Sequence, residues 1–417
     1  MNPITRFFHY CSDESNLFNR NLQKNGDVYD QTLLWVLLGL LGLGLVMVFS
    51  ASASQLDPHN FDQRTVYLFK QAKFVLFGLV LCVWLIAKVP MWIWQRSTKY
   101  ILVLLLLLMC FVPFLGETVN GARRWLSLGF IKIQPSELFK LVTIMYMASF
   151  LKRKLNVLDD FKRVSWVALP TGVGIGLIYA TRDLGSALVV FAIVVALLFI
   201  ANLPWRWFLL ILGAGVSLAV LVIATTDFRL RRFEVALTPW IDANGTGFQG
   251  LGSLLSMESG GLFGKGLGKA IFKRGFLPEA HTDFILAVIG EELGLITVAL
   301  LIFTYLWIVW RALSIGKMAR DQNMYFNAFI ATGIGVWVAA QSFINIGVNI
   351  GLLPNKGLTL PLVSYGGSSL LVMMAAFTML LRVDYETRRS MRGYDDVLDP
   401  RDRKQAQPEA RAQGAKT

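Results

Sequence analysis

Charged side chains are scarce in this chain. Asp, Glu, Lys and Arg together make up 16% of its 417 residues, whereas soluble domains carry about 25%, and 55% of the residues are hydrophobic. That shortage disfavours a soluble enzyme. Cysteine is nearly absent: Cys82 and Cys110 lie inside apolar runs and Cys11 in a polar N-terminal stretch, so no spacing supports a disulfide framework or a thiolate metal site. The histidines, His9, His59 and His281, are equally scattered and form no zinc-ligand cluster. Packing alone must hold such a fold.

Long apolar runs take the place of charge. A bilayer helix needs about 20 apolar residues, and a window of about 19 residues marks ten candidate spans, at 32–51, 69–87, 99–115, 136–151, 164–180, 184–201, 207–225, 284–310, 325–350 and 366–381. With a mean hydropathy of +0.55, the expectation is an all-α polytopic membrane protein. Residues 32–381 would form a ten-helix membrane domain. Residues 1–31 read as a tail that lacks the pattern of a cleaved signal, and 382–417 as a charged, disordered tail. The net charge of +13 could point to nucleic acid, but 24 of the 40 Lys and Arg fall in the tails and in the loops or span edges on their side. The positive-inside rule then puts both tails in the cytoplasm, and no nucleic-acid partner is needed.

Two outward loops stand out. Gly116 to Pro135 carries Arg123, Arg124 and Lys132 on the side that the rule keeps poor in cations. The stretch 226–283, between spans seven and eight, is far longer than a helix connection requires. Its Trp240, Phe248, Leu254, Leu255, Leu262 and Phe263 predict a partly helical segment packed on the membrane surface. Within it, Gly264-Lys-Gly-Leu-Gly-Lys269 resembles a phosphate loop only superficially. Ser259 stands where the first Walker glycine belongs, and Ala270 replaces the magnesium-binding hydroxyl.

Ionisable residues inside or beside spans are costly and mark candidate sites. Glu137 and Lys140 share one helical face and either pair with each other or serve an anionic substrate or a partner carboxylate. Arg182 and Asp183 occupy a short hinge, and Glu291 and Glu292 lie about 12 Å below the outer end of span eight by helix rise. Asp283 ends the long loop at the membrane boundary, where a catalytic carboxylate and a helix N-cap are equally open readings. The loop Leu353 to Ser369 is dense in Pro, Gly and hydroxyls, and backbone that irregular at membrane depth reads as a cavity wall.

Five motifs at these places resemble the SEDS family (shape, elongation, division and sporulation), over nearly all of residues 30–390. They are Asn120-Gly-Ala-Arg-Arg-Trp-Leu126, Ile133-Gln-Pro-Ser-Glu-Leu138 with Lys140, Arg182-Asp-Leu-Gly185, Leu277 to Gly294, and Pro354 to Ser369. The Glu-Ala-His-Thr-Asp form at 279–283 is more similar to the division-type branch than to the elongation-type one. One departure is Gly252, where a second glutamine is expected after Gln249.

The resemblance implies a peptidoglycan glycosyltransferase that polymerises lipid II into a growing glycan strand at the outer face of the bacterial plasma membrane, in septal synthesis during division. It implies Asp283 as the catalytic carboxylate, with Arg123, Arg124, Lys132, Gln134, Ser136, Glu137 and Lys140 at the substrate. Asp183, Gln249, Glu279, His281, Thr282, Lys356 and Ser364 complete that implied set. A base takes the acceptor hydroxyl proton, and the leaving undecaprenyl diphosphate needs positive charge, with or without a divalent cation such as Mg2+ or Mn2+. Lys140 is expected to hold Asp283 ionised. Implied partners are a class B penicillin-binding protein of the FtsI type, the FtsQ-FtsL-FtsB complex and FtsN. A lipid II flippase and a non-catalytic scaffold are the competing readings; a scaffold tolerates Asp283→Ala, and an enzyme does not.

Overall fold

The structure is a computed structural model that describes residues 28–52, 61–119, 122–127, 129, 132–154, 161–242, 245, 247–274 and 277–394. Twelve α-helices occupy the described residues. The first three are α1 (Gln31–Ser52), α2 (Phe61–Leu81, continued by a π-turn at Cys82–Ile86) and α3 (Met91–Leu115). The next four are α4 (Pro135–Lys154), α5 (Phe161–Ala180), α6 (Leu184–Ile200) and α7 (Trp205–Ala224). Two lie in the long loop, α8 (Asp227–Leu237) and α9 (Phe248–Gly260), and three close the bundle, α10 (Ile285–Asp321), α11 (Tyr325–Asn349) and α12 (Gly367–Met391).

A helix stands at each of the ten expected spans. Seven are long and apolar enough by themselves to cross a membrane; Leu169–Ala180 and Leu184–Ile200 are shorter apolar stretches, and α4 carries charge at both ends. The chain is a multi-pass membrane protein. Helices α11 and α12 are the most buried, α11 packing on α10, α4 and α6, and α12 on α2 and α11. Helix α7 has no buried residue, so its uniformly apolar surface faces lipid.

The loop before α4 departs from the all-helical expectation. It folds as a small antiparallel sheet of β1 (Glu117–Val119), β2 (Ala122–Ser127) and β3 (Lys132–Ile133), with β2 central. Its side chains alternate in and out along β2, a pattern too short to compete with the apolar runs around it.

The boundary expected at 381 also moves. Helix α12 continues through Met391 because its last turns are buried and paired, whereas residues 395–417 lie outside the described ones. Asp384 accepts from Arg388 at 2.8 Å and from the backbone N–H of Asp30 at 2.8 Å. Asp30, itself buried, caps α1 through Leu33 N–H at 3.0 Å and pairs with Arg311 of α10. Glu386 pairs with Arg382 at 2.9 Å and caps α3 through Met91 N–H. Charge read as a solvated tail is therefore part of the bundle's end opposite Asp283.

Helix α10 is broken at Gly294, whose φ of +83° is open to glycine at little cost. The loop after α9 fills the break: Leu295 and Ile296 N–H donate to the carbonyls of Gly261 and Leu262, while Lys265 and Gly266 N–H donate to those of Glu291 and Glu292. Both glutamates are buried and structural. Glu291 accepts from Ser256, Lys265 and Ile271 N–H, and Glu292 from Ser50 of α1 and from Lys273 at 2.6 Å. The glycine-rich segment that superficially resembles a phosphate loop is thus clamped onto α10.

Candidate functional site

Asp283 leaves a tight turn, Leu277–Thr282, in which Glu279 adopts a left-handed φ of +56°. The turn is closed by hydrogen bonds from the backbone N–H groups of Thr282 and Phe284 to the Glu279 carbonyl. Two asparagines of α11 clamp the segment. Asn345 and Asn349, one helical turn apart, donate to the Asp283 carbonyl at 3.0 and 2.9 Å. Asn345 also donates to Leu358 O at 2.7 Å, and Asn349 accepts from Ala287 N–H. One helix face therefore fixes both the 277–284 turn and the 353–366 loop.

The carboxylate does not cap α10. Phe284 occupies the N-cap without a side-chain bond, which removes the local capping reading. Instead the Asp283 side chain hydrogen-bonds Asn355. Asn355 is oriented by Gly357, whose N–H donates to its Oδ1 at 3.0 Å, leaving its amide N–H groups to face Asp283 and Gln249 (3.3 Å). Gly357, with φ +69°, lets the loop backbone run close to the carboxylate: a Cβ there would sit 3.9 Å from Asp283 Oδ2. Burial raises the Asp283 pKa from 3.8 to about 6, opposed by the Asn355 hydrogen bond, reinforced by the Glu279 charge and opposed by Arg124.

Around this carboxylate the expected residues separate into groups. Thr282 donates to the Glu279 carboxylate at 3.0 Å, so both belong to the turn. His281 is buried between Tyr67 and Tyr365, with ring centroids 4.8 and 5.4 Å away, and its carbonyl accepts from Tyr365 N–H. Burial holds its pKa below the usual histidine value, and it braces the turn. Arg124 on β2 donates to the carbonyls of Thr181 and Arg182, which places its charge within reach of Asp283. Arg123 donates to Pro113 O and Thr118, and Lys132 pairs with Glu117 at the exposed sheet. Lys356 passes over Gly185, where a Cβ would meet its carbonyl at 3.0 Å.

A second cluster is buried and separate. Gln134 and Ser136 donate to Asp183 Oδ2 at 3.1 and 2.9 Å, while Asp183 Oδ1 caps α6 through Ser186 N–H. Lys140 is fully buried, bonded to Glu137 at 2.7 Å and to Gln341 at 2.9 Å, and lies over the Trp337 ring. Its expected pairing with Asp283 is therefore absent: three-residue spacing on α4 gave Lys140 a nearer carboxylate. Ser364 accepts from Leu360 N–H at 2.8 Å and closes a turn. Ser136 and Arg124 line a small recess beside Pro135 and Thr181, while Lys140, Glu137 and Asp183 are buried among their partners.

The open space is a cavity of about 570 Å³ beside Asn355 and Phe284, bounded by α8, α9 and the end of α11. Gln249 lines it, as do Arg231 and Arg232, two cations that the sequence reading passed over. Their signal was available: like Arg123 and Arg124, they are cations in a loop expected on the side that the charge rule keeps poor in them. Asn345 and Asn349 were also legible as amides four apart in a span.

The chain is similar to known proteins in sequence and in fold. The FTSW_RODA_SPOVE family, described as Cell cycle protein, matches residues 31–389. A probable peptidoglycan glycosyltransferase FtsW of Neisseria gonorrhoeae is 42% identical over 413 residues, covering 91% of this chain and 89% of its own. Its counterpart in Escherichia coli O157:H7 is 43% identical over 371 residues, covering 87% of each. Among solved structures, one reported under the heading of structural coordination of polymerization and crosslinking by a peptidoglycan synthase complex superposes with a TM-score of 0.71 at 28% identity, over 86% of this chain and 98% of that one. The rod shape determining protein RodA of Thermus thermophilus gives 0.63 at 28% identity, over 88% and 98%.

Proposed function

The chain belongs to the FtsW, RodA and SpoVE family of cell cycle proteins, and we propose that it polymerises lipid II with Asp283 as the general base. It is a peptidoglycan glycosyltransferase. The observation that carries Asp283 is its setting: a carboxylate raised to about 6, free of any capping duty, and clamped at a cavity edge. A base with that pKa is ionised at neutral pH and basic enough to accept a proton in the transition state. In the transfer, the acceptor O–H bond breaks and its proton passes to Asp283. The oxygen forms the new bond to the donor's anomeric carbon, and the C–O bond to the diphosphate breaks. The diphosphate leaves unprotonated, so no paired acid at hydrolase spacing is required. Arg124, on the sheet side of Asp283, supplies positive charge to it.

A resident metal does not fit the donor set. Among the described residues no three His, Cys, Asp or Glu side chains converge, so no step is assigned to one. A divalent cation such as Mg2+ or Mn2+ would enter on the substrate's phosphates, a mode that needs few protein carboxylates. The reading extends to a bacterial inner membrane with both tails cytoplasmic, to enrichment at the septum, and to work beside a class B penicillin-binding protein and other divisome proteins. The test is gel analysis of glycan chains made from fluorescent lipid II by the purified protein with its cognate transpeptidase. Chains from wild type and none from folded Asp283→Ala support the reading; equal chains from both overturn the assignment of Asp283.

A further inference from the structure

The cavity beside Asp283 has an end that the reaction above does not use. The cavity is lined by Asn355, which hydrogen-bonds Asp283, by Gln249, which accepts from Asn355, and by Arg231 and Arg232 of α8. Helix α8 begins two residues after α7 ends at Ala224, and α7 has no buried residue. The two arginines therefore stand just beyond a lipid-facing helix, at the level where lipid headgroups lie. Arg231 is held at the wall by Asp242, at 3.2 Å, with most of its side chain exposed. Arg232, its neighbour in sequence, is likewise exposed at the wall, open to an anion in the cavity.

We propose that this cavity receives the acceptor lipid: its reacting sugar hydroxyl at Asp283, its sugars in the cavity, and its diphosphate against Arg231 and Arg232. The proposal rests on the polymerase reading. Chemistry separates the two substrates. A donor's diphosphate is attached to the reacting carbon and leaves from the face opposite the incoming hydroxyl, so its counter-charge must stand close to the reacting centre, where Arg124 acts on Asp283. An acceptor's diphosphate is at the opposite end of the disaccharide from the reacting hydroxyl. Its site must hold a cation pair a sugar-sized space away from the base, and this cavity carries Arg231 and Arg232 together with Asn355, the hydrogen-bond partner of Asp283. At about 570 Å³ it falls within the 300–1,000 Å³ usual for ligand sites. Asp242 takes one side of Arg231, so the diphosphate would be held by Arg232 and the outer face of Arg231.

The experiment uses the full-length protein in nanodiscs with its transpeptidase. Wild type, Arg231→Gln/Arg232→Gln, Arg231→Lys/Arg232→Lys and Asp283→Asn are compared in two arms. One arm measures lipid II binding by anisotropy. The other measures extension of a preformed fluorescent lipid-linked glycan strand as lipid II is titrated. The expected result is a tenfold or greater rise in both Kd and the KM for lipid II in the Gln pair, with the saturating rate retained, partial rescue in the Lys pair, and wild-type binding in Asp283→Asn. An unchanged Kd and KM in a Gln pair that melts like wild type overturns the proposal. So does a lowered saturating rate at unchanged KM, which places the cations on the leaving group. If wild type extends nothing yet the Gln pair still weakens binding, the polymerase reading fails while the anion site stands.

Discussion

Replacing Asp283 by asparagine separates a catalytic carboxylate from a structural one, because the two roles predict opposite changes in stability. Its pKa is raised from 3.8 to about 6, so the folded protein binds this proton more tightly than the unfolded chain does. The ionised form is correspondingly unfavourable: about two pKa units at 1.36 kcal/mol each give a destabilisation of about 3 kcal/mol. That cost is absent below pH 3.8, grows as the carboxyl ionises, and is complete above about pH 6. An asparagine keeps the shape and can still bond Asn355 but carries no charge. Asp283→Asn should therefore be more stable than wild type at pH 7.5, by up to about 3 kcal/mol, or up to about 6 °C in Tm at about 2 °C per kcal/mol, with the gain fading toward pH 4. Its polymerisation rate should fall by roughly a hundredfold to ten-thousandfold. Thermal unfolding in one detergent across pH, beside gel analysis of chains, measures both. In wild type, the rate should rise about tenfold from pH 5 to pH 7 as a group of pKa about 6 ionises. A variant that melts below wild type at pH 7.5, or a wild-type rate that is flat across that interval, refutes the reasoning.

Other perturbations test the frame around the site. Lys140→Met leaves the buried Glu137 charge unpaired and should destabilise by about 3–5 kcal/mol; Glu137→Gln/Lys140→Met should recover much of that loss in denaturant or thermal unfolding. Lys273→Met strands Glu292 in the same way, with a loss of similar size, and should expose the 261–274 loop to protease. Gly294→Ala combines a φ of +83° with a Cβ 2.3 Å from Leu262 O, so it should abolish folded, monodisperse protein in size-exclusion chromatography. Glu117→Gln, by contrast, removes only an exposed pair and should leave Tm unchanged.

Much of this protein was legible in its residues taken singly or in runs. Apolar length marked where the long helices lie because a bilayer fixes both helix length and composition. Asp283 was legible as a candidate, because an ionisable residue beside a span is costly, but the residues alone left a catalytic carboxylate and a helix cap equally open.

What tertiary structure decided was which charge meets which. Lys140 and Asp283 are both ionisable groups near outer helix ends, and nothing in their spacing says that Lys140 turns to Glu137 and Gln341 while Arg124 approaches Asp283. His281 stands two residues from Asp283 in sequence, yet is withdrawn between Tyr67 and Tyr365. Asp384 and Glu386 read as a solvated tail until partners from α1, α3 and α10 bury them. Partition into a membrane is a property of a segment, and the sequence carries it directly. Pairing, burial and the cavity between α8 and Asn355 belong to residues far apart in the chain, whose short-range energies exist only once the helices have packed.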